Sequence, residues 1–351
     1  MSGTSRRKFL GLTAWAGLAA AMGASEAAPA KRTVQTVLGP LDASQLGFTL
    51  AHEHIADAPD VLKRWPKEWG GRSEFTARAV EKLKGIKAAG IGTIADLTTY
   101  DVGRDIRFLE EVSRKSGLHV IAATGQRFLP PRAADMPART IDGLAAFFIK
   151  EIEQGIDGTG IKAGVIKIGI ITKDPTALEE TGLRAAARAS KATGAPIRTH
   201  TDARNRAGES HAAILESEGI DPARVSFDHS DDSGDMDYFL GLARRGYSLG
   251  MDHVHRGLNF KPVFERRADC IKRLIDAGFA NKIFLSTDSE FGGSLLPQEV
   301  REWRETVDPP DGMLFETRKL IPTLKQMGVS GSDIHTITVE NPRRFFSLRE
   351  P

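Results

Sequence analysis

The chain has a single cysteine, Cys270, so no intrachain disulfide can form and no metal or iron–sulfur centre can be held by cysteines alone. It has no basic run either. The 48 Lys and Arg residues balance 46 Asp and Glu for a formal charge of +2, which leaves no electrostatic footprint for nucleic acid. No Gly-rich phosphate turn follows the first strand expected, and no P-loop stands at a strand end, which argues against a doubly wound nucleotide-binding sheet. Across 351 residues, 40% hydrophobic and 27% charged side chains exclude disorder, collagen and coiled coil and provide for a sizeable core.

The N-terminus reads as an address. Ser5-Arg6-Arg7-Lys8-Phe9-Leu10 precedes an uncharged stretch from Phe9 to Ala24 and a small-residue cleavage motif, Ala28-Pro29-Ala30. Residues 1–30 are therefore expected to be a twin-arginine export signal that engages the export machinery and delivers the chain to the periplasm. The competing reading is a membrane anchor, but the stretch falls short of the roughly twenty apolar residues that span a bilayer, so no stable insertion is expected once it is removed. Loss of Arg6, Arg7, Lys8 and Glu26 leaves a formally neutral chain.

From residue 47 the chain repeats a short apolar run, a polar break and a longer helical period. Strands are expected at 48–54, 91–98, 119–124, 163–169, 196–201, 224–229, 247–252 and 282–287. Helices are expected near 74–89, 105–116, 141–156, 176–193, 208–218, 236–245, 262–278, 314–327 and 332–346. Eight such units predict an α/β fold, a single-domain (β/α)8 TIM barrel over residues 31–351, preceded by a short hairpin-like β segment from Val34 to Phe48. The breaks at 255–265 and 289–312 are the expected seventh and eighth active-site loops.

In such a barrel the chemistry sits where strands end, so the polar residues that close apolar runs are the candidates. His52 and His54 lie one strand period apart and point the same way, as a metal clip or as two core histidines. Lys167 lies within the apolar run 163–169, where a charged amine needs a carboxylate partner or conversion to a carbamate that bridges two metals. His200, His229 and Asp288 close the fifth, sixth and eighth strands. Together the six residues form a constellation suited to two divalent metal ions, with zinc favoured by four imidazoles and no sulfur. His253 and His255 close the seventh strand, and Asp232 lies just past His229, placed for a carboxylate–histidine proton relay. His119, His211 and His335 are expected to be structural or exposed.

These residues resemble the phosphotriesterase family of the amidohydrolase superfamily. The resemblance rests on Gly47-Phe48-Thr49-Leu50-Ala51-His52-Glu53-His54, Asp101-Val102-Gly103-Arg104-Asp105, Ala122-Ala123-Thr124-Gly125, Gly164-Val165-Ile166-Lys167, Thr199-His200-Thr201, His229-Ser230-Asp231-Asp232, Gly250-Met251-Asp252-His253 and Asn341-Pro342. It implies a buried metal on His52, His54 and Asp288, a more exposed one on His200 and His229, and a carbamylated Lys167 between them. A bridging hydroxide then attacks a small-molecule phosphotriester in the aryldialkylphosphatase manner. His253 and Asp232 relay the proton from Asp288, and the family implies a homodimer.

The chain departs from the family around the substrate. Arg127 stands where phosphotriesterases carry Trp, only Phe128 of that aromatic wall remains, Met313 is kept, and the segment after His255 is shorter. Lactonases of the family have Arg at the position of His253 and Tyr at that of Arg127. The alternative to phosphotriester hydrolysis is a lactonase or carboxylic esterase with incidental phosphotriesterase activity, and a third reading is an idle metal-binding protein.

Overall fold

Val-, Ile- and Leu-rich runs bounded by turns form strands whose two faces are both covered, the condition that parallel sheets require. A computed structural model describes residues 32–56, 71–127, 140–170, 172–290 and 311–348. The described residues open with an antiparallel hairpin, β1 (Thr33–Thr36) and β2 (Gly39–Asp42), turned at Val37-Leu38 and entering β2 at Gly39 with φ +108°. Eight parallel strands follow: β3 (Phe48–Glu53), β4 (Ile91–Asp96), β5 (His119–Gln126), β6 (Val165–Gly169), β7 (Ile197–His200), β8 (Val225–Asp228), β9 (Ser248–Met251) and β10 (Ile283–Leu285), each beside the next. Between them lie α1 (Gly71–Ala88), α2 (Ile106–Ser116), α3 (Ile141–Glu153), α4 (Ala177–Thr193), α5 (Ala207–Ser217), α6 (Met236–Arg244) and α7 (Phe264–Asp276). The fold is the (β/α)8 barrel that the sequence predicts. The segment read as an export signal lies outside the described residues, as do Phe128 and most of the eighth loop. Among the described residues, no helix is long and apolar enough to cross a membrane.

Side-chain alternation divides the core in two. Leu50, Ile94, Val120, Ile166, Ile197 and Leu249 face the helices, while Ala51, Ala95, Ile121, Ala123, Val165 and Phe284 fill the barrel above a plug of Val34, Leu46, Phe345 and Phe346. A register shift between Leu50 and Glu53 lets both Ala51 and His52 turn inward, and His54 follows.

Several expected boundaries move for identifiable reasons. The strand expected to reach 98 stops at Asp96, whose carboxylate accepts the N–H groups of Ile55 (2.7 Å) and Thr98 (3.0 Å) and turns the chain off the ladder. The helices expected at 314–327 and 332–346 each contain a π-helical turn, at Glu316–Leu320 and Thr336–Glu340, immediately before Ile321-Pro322 and Asn341-Pro342. Proline has no N–H for the regular ladder, and the wider turn accommodates that loss.

The barrel closes through a seam of backbone and side-chain hydrogen bonds. Among the described residues no strand ladder joins β10 to β3. Instead Asp288 N donates to His52 O at 3.1 Å, His54 N to Ser289 O at 2.9 Å, and His52 N to Ser286 Oγ at 2.8 Å. The buried Glu53 carboxylate accepts from Ser286 Oγ (2.7 Å), Thr287 N (2.7 Å), Thr287 Oγ1 (2.9 Å) and Ser289 N (2.8 Å). This seam ends the last strand at Leu285 rather than 287, because Ser286 and Thr287 turn to Glu53.

Glu316, on the first π-helical turn, is fully buried, and neither carboxyl oxygen has a hydrogen-bond partner. Burial, reinforced by Glu53, Asp231 and Asp252, raises its pKa well above the ordinary carboxyl value. The folded chain therefore holds a proton that the unfolded chain releases above about pH 4.5, and wild-type stability declines as pH rises toward the folded value, by up to about 1.4 kcal/mol per unit. Glu316→Gln lacks this term. Urea unfolding from about pH 5 to about pH 8 should show the stability advantage of Glu316→Gln growing with pH, and a constant difference would show that Glu316 ionises freely in the fold.

Candidate metal centre

The inward residues at the C-terminal ends of β3, β6, β7 and β8, together with the turns after β9 and β10, form one cluster. His52 and His54 come from β3 and the residue after it, Lys167 from β6, His200 from β7, His229 from just past β8, and Asp288 from just past β10. His229 (φ 59°) and Asp288 (φ 46°) occupy the left-handed region, a conformation that non-glycine residues hold only when neighbouring contacts enforce it. Those contacts are present. His229 N donates to Asp252 Oδ1 at 2.8 Å, and Asp288 N to His52 O.

Each histidine is oriented by its rear nitrogen. His52 Nδ1 donates to Asp252 Oδ2 at 2.8 Å with Asp228 Oδ2 at 3.0 Å, leaving Nε2 forward, 3.1 Å from Lys167 Nζ and 3.4 Å from Asp288 Oδ1. His54 Nδ1 donates to Thr98 Oγ1 at 2.8 Å. Its Nε2 is buried without a hydrogen-bond partner, 3.2 Å from Asp288 Oδ1 but outside bonding geometry. His229 Nδ1 donates to Asp252 Oδ1 at 2.9 Å, and its Nε2 lies 2.7 Å from His200 Nδ1. Burial and His253 push His229 down to about 3, and burial, His229 and the Arg127 guanidinium hold His200 well below the usual histidine range. Both rings are thus neutral, the state in which imidazole ligates a cation.

Asp288 turns its other oxygen to a second chain of groups. Its Oδ2 accepts from His253 Nε2 at 2.9 Å, and His253 Nδ1 donates to Asp232 Oδ2 at 3.0 Å. Burial and Arg256 lower the His253 pKa, but Asp232 and Asp288 outweigh them and raise it to about 9. The His253 ring stacks on His229 with centroids 3.9 Å apart and planes 12° from parallel.

Five residues beneath this cluster escaped the sequence reading. Asp252 links His52 to His229. Asp228 accepts from Lys167 Nζ at 3.2 Å and is held by Arg198, whose NH2 lies 2.7 Å from Oδ1 and whose guanidinium stands 5.0 Å above the Phe284 ring. Burial would raise Asp228, but Arg198, Lys167 and His52 prevail and keep it below the carboxylate range. Asp231 Oδ1 accepts the N–H groups of Asp252 and His253, each at 3.1 Å, and Arg267 NH1 joins Asp231 Oδ2 to Asp232 Oδ1, each at 3.0 Å. The available signal was an aspartate directly before two of the site histidines, Asp228-His229 and Asp252-His253, and an arginine two residues before His200 in an otherwise uncharged strand. Lys167 does have the carboxylate partner weighed for it, in Asp228, and burial lowers its pKa.

Among the expected pocket residues, Arg127 directly follows β5, His255 is buried with its ring edge-on to Phe315 (centroids 6.0 Å), and Met313 is buried on the turn Gly312–Leu314. His119 begins β5, His211 is buried with Nε2 2.9 Å from Thr172 O, and His335 is exposed beside Glu340, none of them near the cluster's ligand atoms.

The donor set fits divalent cations. His52, His54 and Asp288 bring their ligand atoms within 4.8 Å of one another, as do His229, His253 and Asp288, and the orphaned His54 Nε2 points into the first group. A parallel barrel with a His/Asp cation site at its strand ends is the plan of a metal-dependent hydrolase. The phosphotriesterase family model matches residues 32–346, and the chain belongs to that family. It is 36% identical to a phosphotriesterase homology protein of Mycobacterium tuberculosis over 89% of this chain and 97% of that one. It is also 36% identical to the aryldialkylphosphatase of Saccharolobus solfataricus, over 88% and 97%. The solved phosphotriesterase from M. tuberculosis superposes with a TM-score of 0.79 at 35% identity, covering 91% of this chain and all of that one.

If Asp252 sets the orientation of His52 and His229, Asp252→Asn should weaken metal affinity by roughly 10- to 100-fold, the usual cost of losing such an orienting carboxylate. Chelator competition monitored alongside circular dichroism checks this, and an unchanged affinity would remove Asp252 from the centre.

Proposed function

We propose that the chain is a binuclear metal-dependent hydrolase of phosphotriesters. In this reading His52, His54 and Asp288 hold one ion, His200 and His229 the other, and Lys167 bridges them as a carbamate. The ions are zinc, in keeping with four imidazoles and no sulfur. When bound, they would supply a water acidified to react at neutral pH and Lewis-acid polarisation of the ester oxygen. The carrying observation is the line Asp288–His253–Asp232, which joins the donor cluster to a carboxylate whose side chain is 15% exposed. With His253 in its neutral form, protonated on Nδ1 only, a proton on Asp288 Oδ2 passes to the free Nε2 as the Nδ1 proton passes to Asp232 and on to solvent, so the ligand carboxylate is restored. Arg267 and Asp231 hold this line in place.

In a second reading the chain hydrolyses lactones or carboxylic esters: the aromatic wall of the phosphotriesterases is missing at position 127, but so is the Tyr that lactonases of the family carry there. His253, where lactonases of the family carry arginine, supports the phosphotriester. The reading also includes a twin-arginine export signal in residues 1–30, a periplasmic location and a homodimer, supported by the Arg6-Arg7 motif and by family membership.

Protein purified without chelator and supplied with zinc should bind two equivalents per chain, and one or fewer would refute the binuclear site. Its kcat/KM should be higher on aryl dialkyl phosphates than on lactones, with the reverse order favouring the second reading. Lys167→Ala should abolish turnover and regain part of it with an added short carboxylic acid, whereas full activity without the acid would show that Lys167 bridges nothing.

A further inference from the structure

Asp288 divides its carboxylate between two sets of neighbours. Oδ1 lies 3.4 Å from His52 Nε2 and 3.2 Å from His54 Nε2, on the side of the donor cluster. Oδ2 faces the turn after β9, which brings two groups to it, His253 Nε2 at 2.9 Å and Arg256 NH2 at 3.3 Å. The relay uses the first and gives the second no part. The two differ in constancy. His253 Nε2 is a donor or a lone pair according to where the relay stands, whereas a guanidinium keeps its N–H groups throughout.

Arg256 is held for this contact by its own backbone. On the turn Val254–Leu258 its N donates to His253 O at 2.8 Å, and its O accepts from Asn259 N at 3.0 Å and Phe260 N at 2.8 Å. A Cβ on the next residue, Gly257, would come within 2.5 Å of Phe264 N, so glycine lets the turn pack against the start of α7. The Arg256 side chain is 29% exposed, its Nε is buried without a hydrogen-bond partner, and its NH2 reaches Asp288. A charge-assisted hydrogen bond of this kind fixes an orientation as well as adding attraction. Orientation matters here because a carboxylate free to turn can present both oxygens to one divalent cation. Such a turn would withdraw Oδ2 from His253 and interrupt the relay.

We propose that Arg256 is a positioning residue for the Asp288 ligand: it holds Oδ2 toward the turn after β9, so that Oδ1 alone serves the metal centre and Oδ2 stays with His253. The inference rests on the hydrolase reading of the same site and adds to it a residue that neither binds the ion nor carries the proton.

The test uses the full-length protein, loaded with zinc for kinetics and with cobalt(II) for spectroscopy, and its Arg256→Met and Arg256→Lys variants. Methionine is unbranched and donates nothing, whereas lysine keeps a cationic donor. Arg256→Met should lower kcat on an aryl dialkyl phosphate by roughly 10- to 100-fold, the worth of a hydrogen bond to a charged group, with little change in KM. Chelator competition should show zinc held at least as tightly, since a positive charge has been removed. The visible bands of the cobalt(II) protein should weaken as a second Asp288 oxygen joins the ion. Arg256→Lys should restore the bands and part of kcat. Unchanged kcat and bands in Arg256→Met overturn the assignment and leave the hydrolase reading intact. Weaker zinc binding together with lower kcat, and no rescue by lysine, marks general damage to the turn and also overturns it. A higher KM at unchanged kcat makes Arg256 a substrate contact instead, with the same consequence. If the wild type turns over no ester, the hydrolase reading fails, and the cobalt(II) bands still decide whether Arg256 holds Asp288.

Discussion

The centre depends on one buried carboxylate. Asp252 accepts from His52 with one oxygen and from both the ring and the backbone of His229 with the other, so two histidines from different strands are aimed by one side chain. That assigns the proton to the rear nitrogen of each ring and leaves the forward nitrogen as a lone pair. It also holds His229 in a left-handed conformation that an imidazole-bearing residue would not adopt alone. Asp252 is in turn held from behind, since Asp231 accepts its N–H and Arg267 grips Asp231.

This arrangement places many charges where water cannot reach them. Asp228, Asp252, Asp231, Arg198, Arg267 and Lys167 are all essentially buried, and each carboxylate faces at least one cation or imidazole N–H. Such networks add little net stability, because desolvation cancels much of the attraction. Their value here is geometric: removing one member leaves an uncompensated charge, so the network permits few arrangements other than the one that aligns the ligand atoms.

The fold was legible because strand and helix periods are local properties, and each of the eight expected strands overlaps an observed one. His52 and His54 were legible for the same reason, since residues two apart on a strand share a face. Lys167 stood out as a charge in an apolar run. Asp228 and Asp252 did not, because an aspartate at a strand end also reads as an ordinary start to a polar loop, and their partners lie far away in sequence. Glu53 was hidden between two histidines, with nothing local to show that its carboxylate would accept groups more than 230 residues distant. The π-helical turns follow from two X-Pro pairs whose effect is to widen a helix rather than end it.

The seam between β3 and the segment after β10 brings together ligand atoms from nearly opposite ends of the described chain. His52 and His54 are among the first barrel residues made, and Asp288 follows the last strand. No chain that stops before residue 288, and no single fragment from a cut between residues 54 and 288, contains the whole His52–His54–Asp288 group. An ion held by all three residues would therefore report that one unbroken stretch of chain runs at least from residue 52 to residue 288, without any partner to inspect it.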